Sequence, residues 1–341
     1  MYLGFYNNTK EFNNNQMFLQ ASASIGDNVA YPFVYLGQRL KELGHRFSTV
    51  DLENLEKFDA IVFIDFPGLQ NKYLKKLVKK GFENMYLVML ESPIIIPDGY
   101  RKENHHNFKK IFTWDDTLVD NKKYFKINYA HKLPAVLDIN PDTPKKLCTI
   151  ISSNKSMAHP LELYSERIRA IRWFESNHPE DFDLYGVGWD RYNFQGELLG
   201  IKIARLNRLK FLTKLLAPNY PSYRGRVNSK KETYQKYQFS ICYENARDIK
   251  GYITEKIFDC FFGGCVPIYL GAPNVTDHIP ANTFIDKRNF KTYQELYDYI
   301  KNMPPQKYFN YLSAIKDFLQ SKKAFAFSAE CFANTIINEI T

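Results

Sequence analysis

Short apolar runs alternate with segments of helical period along almost the whole chain, and this rhythm constrains the fold more than any other feature. In the first half, residues 2–6 (YLGFY), 46–50 (RFSTV), 60–64 (AIVFI) and 85–90 (MYLVML) read as buried strands. Helical patterns over about 34–43 and 70–80 separate them. The second half repeats the scheme, with strands expected at 147–151, 182–186, 239–243, 266–270 and 283–285 and helices near 160–176, 254–262 and 292–302. Such alternation builds a parallel sheet with helices on both faces, because a strand can return parallel to itself only through a crossover. The expectation is an α/β chain of two doubly wound, Rossmann-like domains, and 341 residues suffice for two cores. Three prolines in LPAVLDINPDTPKK (133–146) mark the division. The domains are therefore expected at 1–140 and 141–310, with 311–341 forming C-terminal helices.

With 45% hydrophobic and 24% charged residues the composition is that of a globular protein. Apolar stretches such as 61–64 and 94–96 fall far short of the roughly 20 residues of a membrane helix. The opening MYLGFY reads as a first strand, without the basic start and long apolar core of a signal peptide, so a cytoplasmic protein is expected. Five cysteines without CxxC spacing fit reduced core residues and no disulfide or zinc framework. The net charge of +9 is uneven: between Glu197 and Glu232 there are nine basic residues and no acidic one. Leucines recur among them at near-helical spacing, so 200–216 reads as a basic amphipathic helix. The segment 200–231 suits an anionic membrane surface or a solvated face equally well. Nucleic acid is not expected as a partner, since no recognisable module for it accompanies the charge.

The segment 237–275 carries the chemistry. An apolar strand ends at Tyr243-Glu244-Asn245, a loop closes through Gly251 and Tyr252, and a helix begins that Thr254 can cap, with Glu255 and Lys256 in its first turn. A helix start presents free N–H groups and a positive dipole end to an anion such as a pyrophosphate, and Lys256 adds a full charge. Glu255 repels phosphate and is better suited to accept hydrogen bonds from sugar hydroxyls. A capped turn with solvated Glu and Lys is the plainer reading of T-E-K alone.

The whole segment resembles the donor-sugar motif of the α-1,3/4-fucosyltransferases, glycosyltransferase family 10: Y-E-N, a short loop, Y-I-T-E-K, an apolar helix and a V-P-I strand. The resemblance implies the GT-B fold, with two domains facing a central cleft and C-terminal helices crossing back. It also implies an inverting, metal-independent α-1,3-fucosyltransferase that needs no cofactor and uses GDP-fucose as donor. Within it, Asn245, Tyr252, Thr254, Glu255 and Lys256 would hold the donor. The family's E-S-P element is matched by Glu91-Ser92-Pro93 after the strand 85–90, which makes Glu91 the implied general base. After Pro93 the chain departs from the family, with Ile94-Ile95-Ile96 where many members carry polar residues and a His. The S-N…R element is matched by Ser152-Ser153-Asn154 and a helix carrying Arg167, with Arg169 and Arg172 as alternative registers. Asn154 and Arg167 would thus join the donor site.

Asp181-Phe182-Asp183 matches the D-x-D string of metal-dependent transferases, but a solvated strand start explains it as well. Asp115-Asp116 and His105-His106 read as surface polarity, so no metal ligands are expected. The implied acceptor is an oligosaccharide or lipid-linked glycan bearing N-acetylglucosamine, met at the inner membrane. The alternatives are a transferase of another nucleotide sugar and a non-catalytic glycan- or nucleotide-binding protein.

Overall fold

The apolar runs of the first half become the centre of a six-stranded parallel sheet. The computed structural model describes residues 1–20, 28–135, 145–192, 194, 197–198 and 201–341. The strands β1 (Tyr2–Asn7), β2 (Arg46–Thr49), β3 (Ala60–Ile64), β4 (Met85–Met89), β5 (Lys110–Thr113) and β6 (Tyr124–Lys126) lie in the order β2-β1-β3-β4-β5-β6. Every residue of β3 and β4 is buried. Alternation divides these strands between two cores. Leu3, Phe5, Val62 and Val88 pack on the side of helix α1 (Tyr31–Glu42). Ile61, Phe63, Leu87 and Met89 pack on the side of α2 (Lys72–Lys79). The sheet is thus wound on both faces. The strands β5 and β6 were not expected: β5 opens on Lys and has only Ile111 and Phe112 as consecutive apolar residues, and YFK is only half-buried.

The second sheet contains β7 (Lys146–Ile151) and β8 (Phe182–Tyr185), joined by α3 (Tyr164–Asn177). A small antiparallel hairpin of β9 (Glu197–Leu198) and β10 (Ile201–Lys202) follows, and then the short helices α4 (Lys210–Leu215) and α5 (Lys230–Tyr234). The sheet continues with β11 (Tyr237–Tyr243), α6 (Glu255–Phe262), β12 (Val266–Leu270), α7 (Val275–His278) and β13 (Ile285–Asp286). Its order is β13-β12-β11-β7-β8, all neighbours parallel. The chain leaves β7 toward β8 on one side and returns to β11 on the other, so the strand order reverses between β7 and β11. A crevice opens beyond the carboxyl ends of strands at such a reversal.

After α8 (Tyr293–Lys301), α9 (Pro305–Leu319) and α10 (Lys322–Phe325), the last helix, α11 (Ala329–Ile340), lies on the first domain. Its Phe332, Ala333, Ile336, Ile337 and Ile340 share the core of α1, with the rings of Phe33 and Phe332 edge to face at 5.7 Å. The outgoing and returning strands of chain run side by side, since His131 N–H donates to Phe327 O at 2.8 Å and Ala329 N–H to His131 O at 2.9 Å. The expected division at 140/141 lies outside the described residues.

The segment 200–216 is not one helix. Its described part is strand β10, a 3-10 turn over Ile203–Arg208 and the six-residue α4. Asn207 gives the reason: its side chain accepts from Phe194 N–H at 2.8 Å and donates to Phe194 O at 2.9 Å, a backbone pairing that competes with helix propagation.

Candidate active site

The corner after β11 is organised by a residue the sequence did not single out. Glu244 is wholly buried and accepts from Thr254 N–H at 2.8 Å, from Thr254 Oγ1 at 2.6 Å and from Lys256 Nζ at 3.2 Å. A buried carboxylate is tolerated where hydrogen bonds and a cation meet it, and here the loop and the start of α6 supply both. This arrangement corrects one expectation: the Thr254 side chain does not cap α6, because its hydroxyl is turned to Glu244. Lys256 also touches Thr254 Oγ1 at 2.9 Å and Glu255 Oε1 at 3.4 Å. Burial works against the Lys256 ammonium, but the carboxylates of Glu255 and Glu244 overcome it and hold the charge well above the usual lysine range. Burial likewise pushes Glu255 up, yet Lys256 and Lys230 outweigh it and bring the carboxyl to about 2. Both first-turn residues are charged at neutral pH.

Of the three arginines of α3, the fold brings Arg167 to this corner. It is buried, and its Nη2 donates to Tyr243 O at 2.7 Å, Glu244 O at 2.8 Å and Asn245 Oδ1 at 3.0 Å. Arg169 turns outward to Glu166, and Arg172 pairs with Glu175 and lies over the Tyr220 ring. Asn154 sits beyond β7, its N–H donating to Val187 O at 2.8 Å and its Nδ2 to Gly188 O at 3.1 Å. The neighbouring turn needs Gly186, with φ +133°, because a Cβ there would come 1.8 Å from Ser152 O.

Tyr252 stands apart from the open corner. Only 1% exposed, it packs with Ile94, Trp114 and Ala246, its ring 4.8 Å from Trp114 and 6.3 Å from Tyr129. It therefore plugs the seam between the two domains. Gly251 makes that approach possible: at φ +80°, an added Cβ would lie 2.3 Å from Trp114 O.

Across the seam, Glu91 follows β4 and is half-buried. Burial pushes its carboxyl above the usual glutamate range, Lys256 pulls it down, Glu255 pushes it up and Lys155 pulls it down. A first-domain carboxylate is thus within electrostatic reach of both charged residues at the start of α6. Lys155, next to Asn154, is a further contributor that motif reading passed over. Asp65 fixes the Glu91 turn: in the left-handed region at φ +60°, it accepts from Leu90 N–H at 2.7 Å and Glu91 N–H at 2.9 Å through one oxygen.

The carboxylates of the D-x-D string diverge. Asp181 binds Tyr297 and Lys301, while Asp183 binds Lys146, Arg224 and Tyr237. The expected surface polarity of the other pairs is also corrected for three members: Asp115 is buried and accepts from Thr117 Oγ1 at 2.7 Å. His105 is buried between Tyr124 Oη and Gly99 O, and Asp116 joins Lys126 of its own domain to Asn274 and His278 of the other. Among the described residues no group of three or more His, Cys, Asp or Glu is placed to hold a metal.

Comparison with known proteins gives a consistent result. Residues 215–336 match the model of the glycosyltransferase family 10 (fucosyltransferase) C-terminal domain. An alpha-(1,3)-fucosyltransferase of Helicobacter pylori is 38% identical over 81 residues, which are 24% of this chain and 17% of that protein. A 4-galactosyl-N-acetylglucosaminide 3-alpha-L-fucosyltransferase 9 of Mus musculus is 35% identical over 100 residues, 28% of either chain. The matched regions thus span less than a third of these relatives. Among solved structures, an alpha1,3-fucosyltransferase superposes with a TM-score of 0.54 at 17% identity, over 100% of this chain and 90% of that one. The DNA-modifying beta-glucosyltransferase superposes with a TM-score of 0.53 at 14% identity, over 100% and 99%. These likenesses show the GT-B fold. On that frame, residues 215–336 match the C-terminal domain of glycosyltransferase family 10, the fucosyltransferases.

Proposed function

We propose that this chain transfers fucose from GDP-fucose, with inversion, to O3 of N-acetylglucosamine in an oligosaccharide or lipid-linked glycan. The first domain takes the acceptor and the second, from about residue 141 to 310, the nucleotide sugar. One observation carries the reading: Glu91 of the first domain lies within reach of the charges of Lys256 and Glu255 of the second. A binding protein has no use for a carboxylate of raised basicity opposite an anion-binding helix start. The names of the bacterial and mouse relatives support fucose as the sugar and N-acetylglucosamine as its acceptor.

In the reaction the acceptor oxygen attacks the anomeric carbon, and the bond to GDP breaks with its electron pair going to the phosphate. Glu91 takes the hydroxyl proton as the new bond forms. Lys256 and the N-terminus of α6 meet the charge that develops on GDP. Arg167 holds the end of β11 with Asn245 and adds its charge at the same corner; Glu255 and Asn154 accept or donate hydrogen bonds to the donor, and Tyr252 keeps the seam dry. These protein cations are assigned the role that a metal has in other transferases. We place the reaction in the cytoplasm, at the inner leaflet where lipid-linked glycans are exposed.

The test is GDP release from GDP-fucose by the purified protein, with and without an N-acetyllactosamine acceptor, in buffer and in EDTA. Acceptor-stimulated release that ignores EDTA is expected. Release from GDP-mannose or a UDP sugar in place of GDP-fucose would instead establish another donor, since the phosphate clamp does not itself read the sugar.

A further inference from the structure

The corrected shape of the basic segment leaves an apolar tip that the donor site does not use. Thirteen large apolar side chains are exposed in the described protein, and four of them fall within residues 209–216: Leu209 at 53%, Phe211 at 81%, Leu215 at 68% and Leu216 at 48%. A side chain four-fifths exposed stands proud of the surface. The opposite side of α4 is anchored, because Thr213 is buried and its carbonyl accepts from Tyr192 N–H at 2.6 Å. Helix geometry then sorts what is left: Phe211 and Leu215, four apart, form one stripe, and Lys210 and Lys214, also four apart, form the next. Arg208 precedes them, and all three cations are exposed. Among the described residues none of Arg208, Lys210 and Lys214 is ion-paired.

We infer that α4 and its flanking leucines are a bilayer-contact site, with Phe211 and Leu215 entering the boundary between headgroups and acyl chains and Lys210 and Lys214 meeting anionic lipid. The occupant follows from charge complementarity. The segment from 198 to 231 contains no acidic residue, and the exposed cations beside Phe211 and Leu215 attract an anionic surface. The adjacent stripes let each lysine lay its stem along apolar surface while its ammonium stays with phosphate. None of these four side chains is assigned to the donor corner, and the test does not depend on which sugar is transferred.

Vesicles of phosphatidylglycerol and phosphatidylcholine, against vesicles of phosphatidylcholine alone, provide the probe in a co-sedimentation assay. Binding to the anionic vesicles that falls with salt is expected. Lys210→Glu with Lys214→Glu should weaken it more than about tenfold, and Phe211→Ser with Leu215→Ser by about tenfold. All four side chains are exposed, so both variants should keep their GDP affinity and their turnover of a soluble acceptor, a readout that stands or falls with the proposed function alone. No sedimentation at low salt would overturn the inference, as would binding unchanged in both variants. A dimer on size exclusion that Phe211→Ser with Leu215→Ser abolishes, in protein that ignores vesicles, would overturn it in favour of a second copy.

Discussion

Asp116 Oδ2 lies 2.7 Å from Nε2 of His278 and 2.8 Å from Nδ2 of Asn274, so one first-domain carboxylate holds two side chains of the second domain. On its other oxygen it binds Lys126 at 2.6 Å. Burial pushes this carboxyl up, but the hydrogen bonds from His278, Lys126 and Asn274 outweigh it and hold it well below the usual carboxylate range. A depressed carboxylate adds stability that is fully present above about pH 4 and is lost as pH falls through the folded value. Asp116→Ala should lower stability by about 1 to 3 kcal/mol at pH 7 and by progressively less below about pH 4. Thermal melts of the two proteins from pH 3 to 7 measure this, and a difference that grew on acidification would contradict it.

Glu91→Gln keeps the shape of the side chain and removes its ability to take a proton. Turnover should fall by about 10² to 10⁴ while GDP-fucose affinity changes little. In the parent protein the acid limb of kcat/KM should lie above the ordinary glutamate range, because burial raises this carboxyl. Calorimetric titration beside a pH–rate profile separates the two effects; lost donor affinity would make Glu91 a structural residue.

Asp65 gives a pH dependence of opposite sign. Desolvation pushes its carboxyl up to about 6, against the pull of the Glu91 and Leu90 N–H groups. The folded chain then holds this proton longer than the unfolded chain, so stability falls as pH rises from about 4 to about 6 and levels above that. Asp65→Asn retains an acceptor for the two N–H groups and should flatten this stretch by on the order of 2 kcal/mol. Denaturant midpoints at several pH values decide it, and parallel curves for the two proteins would refute it.

Glu244→Ala removes the acceptor of Thr254 and Lys256 and leaves an ammonium without its buried partner. A loss of about 3 to 5 kcal/mol of stability is expected. Lys256→Ala should instead weaken GDP binding by about 10- to 100-fold, the worth of one charge-assisted hydrogen bond. If Lys256→Ala bound GDP as tightly as the parent, Lys256 would serve Glu244 alone.

The difference between Glu91 and Glu244 shows what the sequence could convey. Glu91 was singled out because its E-S-P resembles the family's element, while β3 and β4 were legible because all their side chains are buried. Glu244 was passed over because a carboxylate ending a strand reads as a turn residue. Its burial depends on groups ten and twelve residues later folding back over it. The same limit hid Asp116, whose second-domain partners are more than 150 residues distant. In residues 200–216 the leucine spacing was real, but a local side-chain pairing by Asn207 outweighed it.

The return of α11 has a consequence for how the chain is made. The face of the first sheet that carries Leu3, Val62 and Val88 is closed by side chains from Phe332 to Ile340. During synthesis that face emerges about two hundred residues before its cover, so the first domain cannot complete its core while the second is still being translated. It waits with an apolar sheet face open until α11 emerges and covers it.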